Sequence, residues 1–132
     1  MPRAATAVKV NKKKTQSPAE IGEWLTDKEH QGVQFFVGKV KELLGEKLLE
    51  LRLFGSKVRG DFDEESDIDI LVVIDSNDWK LKDKVCDIAA DADVEYGCNI
   101  SPVIYTREEH ERNKYFRTLF IQEVERDGIL IR

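Results

Sequence analysis

Gly55-Ser56-Lys57-Val58-Arg59-Gly60-Asp61-Phe62-Asp63-Glu64-Glu65-Ser66-Asp67-Ile68-Asp69-Ile70-Leu71-Val72-Val73 is the stretch from which the rest of this chain can be read. Its second half is a strand by composition, and side chains alternate along a strand. Asp67 and Asp69 therefore share one face, while Ile68, Ile70 and Val72 point the other way, into a core. Two carboxylates on one face repel each other unless something neutralises them. A hard divalent cation does so, and Mg²⁺ commonly takes one or two carboxylates together with substrate phosphates. Two such ions about 4 Å apart can clamp the attacking and leaving oxygens of a phosphoryl or nucleotidyl transfer. In the first half, Gly55 lets backbone approach a ligand closely and Ser56 adds a hydroxyl donor. If Ser56 to Arg59 opens a short helix, its free N–H groups point at an anion. Lys57 and Arg59 add cations for phosphate charge. Each piece alone reads as a solvated acid pair or an ordinary turn. The combination, phosphate donors about ten residues before a same-face acid pair, reads as a metal–nucleotide site.

Two other motifs fail on the same residues. Gly55 and Gly60 match the glycines of a P-loop, but Asp61-Phe62 stands where Lys-Ser/Thr must follow, and an aspartate would repel phosphate. The acid-rich run from Asp61 resembles the opening of an EF-hand. Position six is then Ser66 rather than glycine, and position twelve is Val72 rather than glutamate.

Working outward, Thr26-Asp27-Lys28-Glu29 has the form of a capping box. Val33, Phe36, Val37, Val40, Leu43 and Leu44 follow at helical spacing until Gly45. Leu48 to Phe54 reads as a strand, Asp67 to Ile74 as a second, and residues 79–93 as a helix. Ile100 to Tyr105 reads as a third strand, with Pro102 placing it at an edge or bulge. Thr106 caps a final helix running to about Arg126, Gly128 ends it, and Ile129 to Ile131 adds a short strand.

The chain has 132 residues, a length that fits one domain. Its net charge of −5 argues against a general nucleic-acid coat. The longest apolar run, Ile70 to Ile74, is too short to span a bilayer, and no signal peptide opens the chain, so a cytoplasmic protein is expected. Cys86 and Cys98 make neither a disulfide framework nor a zinc set. Residues 1–14 carry five cations and no acid, so residues 1–20 read as a flexible basic tail and 21–132 as the folded domain.

Gly55-Ser56, Gly60 and Ser66-Asp67-Ile68-Asp69-Ile70-Leu71-Val72 resemble the signature of the DNA polymerase β-like nucleotidyltransferase superfamily, and the short chain resembles its minimal nucleotidyltransferase branch. The order of elements extends the likeness over about residues 25–130. The resemblance implies an α+β fold, a mixed β-sheet flanked by helices. It implies Asp67 and Asp69 as catalytic, metal-holding residues, with Mg²⁺ or Mn²⁺ as the cofactor. Gly55 and Ser56 would bind the triphosphate, with Lys57 and Arg59 offsetting charge nearby. The implied activity is transfer of a nucleoside monophosphate, AMP from ATP before another NTP, to a hydroxyl with release of pyrophosphate. The implied acceptor is a protein partner such as a HEPN-type toxin, in a toxin–antitoxin role. The alternative is a catalytically weak or inactive antitoxin-like subunit that masks a HEPN-type partner. One departure bears on that choice. The family carries a third carboxylate on the following strand, and Cys98-Asn99-Ile100-Ser101-Pro102-Val103-Ile104-Tyr105 contains none. Asn99 or Ser101 takes the expected place, and Asp93 or Glu95 could substitute if the strand begins earlier.

The remaining residues read as structure. His30 and His110 have no metal-ligand partner at helical spacing and are expected at exposed positions. Trp24 and Trp79 are expected to pack, and Cys86 and Cys98 to be small buried hydrophobes. Phe116, Leu119, Phe120 and Val124 form an apolar stripe on the last helix, for the core or for a partner.

Overall fold

The computed structural model describes residues 15–16, 25–60 and 66–132. In chain order the elements are β1 (Thr15–Gln16), α1 (Asp27–Leu44), β2 (Leu48–Phe54), α2 (Ser56–Arg59), β3 (Ile68–Ile74), α3 (Trp79–Tyr96), β4 (Ile100–Thr106), α4 (Arg107–Phe116), α5 (Leu119–Asp127) and β5 (Ile129–Ile131). The capping box at Thr26 forms: its hydroxyl accepts from the Glu29 N–H, and the Glu29 carboxylate accepts from the Thr26 N–H. Gly45, at φ +53°, turns the chain out of α1. Of the segment 1–20, only Thr15–Gln16 is described, and it pairs in parallel with Leu130–Ile131. Trp24 lies outside the described residues.

The strands make one mixed sheet in the order β1-β5-β2-β3-β4. β2 runs antiparallel to β3 and to β5, and β3 runs parallel to β4. A parallel pair needs a long crossover, which α3 provides. β3 has a strand on each side and covering on each face, hence its near-continuous apolar run. Ile68, Ile70, Val72 and Ile74 join the larger core with Val33, Phe36, Val37 and Val40 of α1 and Val85, Ala89 and Ala92 of α3. Leu71 and Val73 pack on the opposite face with Phe54, Val103, Tyr105, and Phe120 and Val124 of α5. Pro102 sits in β4, an edge strand, where its missing N–H costs no ladder bond.

Several expectations are corrected. α3 continues to Tyr96, three residues beyond the predicted end. The single last helix is two, because Arg117 adopts a left-handed conformation (φ 51°) and Thr118 caps a new helix through the Ile121 N–H. That break splits the apolar stripe: Phe120 and Val124 pack, whereas Phe116 and Leu119 are 66% and 83% exposed. Trp79 is exposed rather than packed, and Cys86 is exposed while Cys98 is half-buried. His110 is buried, with neither ring nitrogen hydrogen-bonded. Its Nε2 lies 3.6 Å from Glu50, whose carboxylate accepts from the Arg52 guanidinium at 2.8 Å. Among the described residues no helix is long and apolar enough to cross a membrane.

Candidate active site

Three strand ends meet where β2 finishes and β3 and β4 begin. Asp67 is exposed in the last residue before β3, and Asp69 is half-buried within it. The two-residue spacing puts both carboxylates on the α5 side of the sheet, opposite Ile68 and Ile70. Asp69 pairs with Phe54 of β2 on one side and with Ser101 of β4 on the other.

The antiparallel β2–β3 pairing closes the distance between the acid pair and the Gly-Ser turn. Gly55 follows Phe54 and is buried, at φ +88°. A Cβ at this position would collide with the Asp69 carboxylate, lying 3.1 Å from its Cγ and nearer still to Oδ2. Glycine is thus demanded twice, by backbone conformation and by space. Ser56 begins α2, whose first turn closes with the Val58 N–H donating to the Gly55 carbonyl at 3.0 Å. Gly60 also takes φ +88°, and residues 61–65 lie outside the described part.

Lys57 occupies an unexpected place. It is 4% exposed, and its ammonium lies 3.0 Å from Oε2 of Glu29 in the first turn of α1. Nothing local in the sequence marks this, since the two residues are 28 positions apart.

On the β4 side, Asn99 stands beside Asp67 and Ser101 beside Asp69, so both candidates for the missing acid border the pair. The Asn99 amide donates through Nδ2 to Asp67 Oδ1 at 2.5 Å, and the Asn99 carbonyl accepts from the Ile68 N–H. Asp93 and Glu95 stand outside β4, which begins only at Ile100. Both lie in α3, Glu95 is exposed, and Asp93 accepts from the Ile100 N–H at 2.8 Å, anchoring the start of β4. The Cys98 thiol is pushed up to about 11, chiefly by burial and then by Asp93, which favours its protonated form.

Among the described residues no group of three or more His, Cys, Asp or Glu side chains is placed to hold a metal. The donors present are two carboxylates with an amide and a hydroxyl residue alongside. They fit a hard cation that arrives with phosphate oxygens better than a tightly held resident ion.

Residues 36–127 match the profile of the nucleotidyltransferase domain family. A protein of Methanocaldococcus jannaschii, provisionally named protein adenylyltransferase MJ0141, is 38% identical over 98 residues, covering 74% of this chain and 92% of that protein. A second protein of that organism, provisionally named protein adenylyltransferase MJ0604, is 35% identical over 80 residues, 61% of this chain and 76% of its own length. Among solved structures, a chain of a mutant MntA–HpeT toxin–antitoxin is 21% identical with a TM-score of 0.42, covering 73% of this chain and 68% of that one.

Proposed function

Since this chain belongs to the nucleotidyltransferase domain family, we propose that it is a metal-dependent enzyme moving AMP from ATP onto a hydroxyl of a protein, with a HEPN-type partner as the acceptor. The observation that carries the reading is the close approach of Gly55 to Asp69, whose carboxylate lies where a Cβ on Gly55 would sit. A triphosphate lying along Gly55 and Ser56 has its reacting end at Asp67 and Asp69. Arg59, in the same short helix, adds a cation for the phosphates. Asp67 and Asp69 would hold Mg²⁺, which when bound offsets phosphate charge and orients the α-phosphate. The acceptor oxygen attacks the α-phosphorus, the bond to the bridging oxygen of the β-phosphate breaks, and pyrophosphate leaves. The acceptor proton passes to water or to an oxygen of the acid pair, because β4 presents no carboxylate.

One observation favours a weaker catalyst, an antitoxin-like subunit that acts mainly by masking its partner. Asn99 faces Asp67 with its amide N–H, and an amide cannot take a proton. Incubation with α-labelled ATP, Mg²⁺ and a HEPN-type protein decides between them. Label on the acceptor, lost in Asp67→Asn and Asp69→Asn, is the expected result. Masking without labelling would leave only the binding role, and unfolding of both variants would show the acids to be structural.

A further inference from the structure

We infer that the Glu29–Lys57 ion pair is a strut that positions the Gly55–Ser56 turn, and that Lys57 acts through this pair rather than as a phosphate ligand. The inference rests on the nucleotidyl-transfer reading of the site and assigns a role to two residues outside the acid pair. Glu29 uses both carboxylate oxygens: Oε1 accepts from the Thr26 N–H at 3.0 Å, and Oε2 from the Lys57 ammonium at 3.0 Å. The first contact ties Glu29 to the start of α1, and the second ties α1 to the residue directly after Ser56. Lys57 and Glu29 side chains are only 3% and 14% exposed, so the pair sits where a charge is poorly solvated and its partner matters most. A lysine drawn inward to α1 fixes the direction of α2 and, through the Val58-to-Gly55 bond, the turn that touches Asp69.

The same part of α1 braces the other side of the site. A Cβ on Gly32 would lie 2.5 Å from the Cys98 sulfur and displace it, so α1 packs closely on the residue before Asn99. The first two turns of α1 therefore hold both the phosphate turn and the Asn99 entry to β4.

Glu29→Gln keeps an oxygen for the cap but removes the anion, and Lys57→Met keeps the buried stem but removes the cation. Mg²⁺-ATP affinity is measured by calorimetry for both, for the double variant and for the wild type, and amide exchange is followed at Val58 and at Val72 in β3. A strut predicts that each single variant weakens ATP binding about tenfold or more. It also predicts a double variant no worse than the poorer single one, because the two residues act as a unit. Val58 should exchange at least about tenfold faster, while Val72 keeps its protection. If Lys57→Met weakens binding but Glu29→Gln leaves it equal or tighter, Lys57 is a direct phosphate cation and the strut is overturned. If both variants lose thermal stability yet bind ATP as the wild type does, with Val58 unchanged, the pair is merely structural and the strut is again overturned. A wild type that binds no ATP removes the nucleotidyl-transfer reading and this inference with it, an outcome distinct from variants that match a wild type able to bind.

Discussion

On the proposed reading, Asn99 puts an amide where base chemistry would use a carboxylate, and that amide donates to Asp67. Asn99→Asp replaces that donor with a third anion. The variant should therefore be less stable without metal and should bind Mg²⁺ more tightly. Its transfer rate should rise, since a positioned base typically contributes about 10²–10⁴-fold. Ser101→Asp, beside Asp69, is the matching change, and single-turnover labelling with ATP identifies which position serves. A fast wild type indifferent to both would place the proton elsewhere. His110 carries a different kind of expectation. Burial, foremost, holds its imidazole below the ordinary 6.5. The charges of Lys114 and Arg52 push the same way, against the opposing pull of Glu50 and Glu125. The folded state then binds fewer protons than the unfolded chain, so stability falls as pH drops through about 6.5 and levels off below the lowered folded value. His110→Leu, which also removes two unbonded buried nitrogens, should flatten that slope in denaturant titrations between pH 7 and 5. An unchanged slope would mean that the imidazole stays accessible to protons when folded.

At the scale of elements, the break between α4 and α5 carries its own test. Arg117 holds φ 51°, a conformation costing an L-residue roughly 1–2 kcal/mol, while glycine adopts it freely but loses more freedom on folding. Arg117→Gly should stabilise the protein by about 0.5–1 kcal/mol. Thr118→Ala, which removes the cap of α5, should cost about 1 kcal/mol. Calorimetric melting of the two variants should give shifts of opposite sign, and like signs would refute the account of the break. The same junction shows what the sequence conceals. Thr26 and Thr106 announce their helices because a Glu three residues on completes a capping box. Thr118 is followed at that distance by Ile121, and the stripe Phe116-Leu119-Phe120-Val124 keeps helical spacing across the break, so periodicity alone runs straight through it. β2 is readable from apolar residues alternating with Glu50 and Arg52, β3 from its apolar run, and Pro102 as an edge or a bulge, of which the sheet order selects the edge. Burial of His110 and Lys57 was not readable. Each depends on a partner far along the chain, Glu50 for one and Glu29 for the other, and a charged residue in a polar stretch otherwise reads as solvated.

For the molecule as a whole, the sheet order decides where the site lies. Asp67 and Asp69 could be placed on one face from spacing alone, but that Gly55 abuts Asp69 follows only from antiparallel pairing of β2 with β3. Parallel pairing of β3 with β4 then brings Asn99 and Ser101 alongside. A nucleotide bound there would touch the end of β2 and the beginnings of β3 and β4, and β3 is buried almost throughout its length. Binding should therefore register as global stabilisation, not as the ordering of one loop. At a concentration of about 100 times Kd the gain is about 2.7 kcal/mol. For a domain of this size that corresponds to a rise in Tm on the order of 10 °C. The rise should need ATP and Mg²⁺ together, because the cation relieves the repulsion between Asp67 and Asp69 and the phosphates complete its ligand shell. Asp67→Asn and Asp69→Asn should melt at or slightly above the wild-type apo temperature, having lost a like-charge contact, and should show little or no rise with Mg²⁺-ATP. Thermal melts of the three proteins with ATP, with Mg²⁺, with both, and with both plus EDTA separate these effects. A full rise with ATP in EDTA would take the acid pair out of nucleotide binding, and a rise that persists in both variants would move the nucleotide away from this end of the sheet.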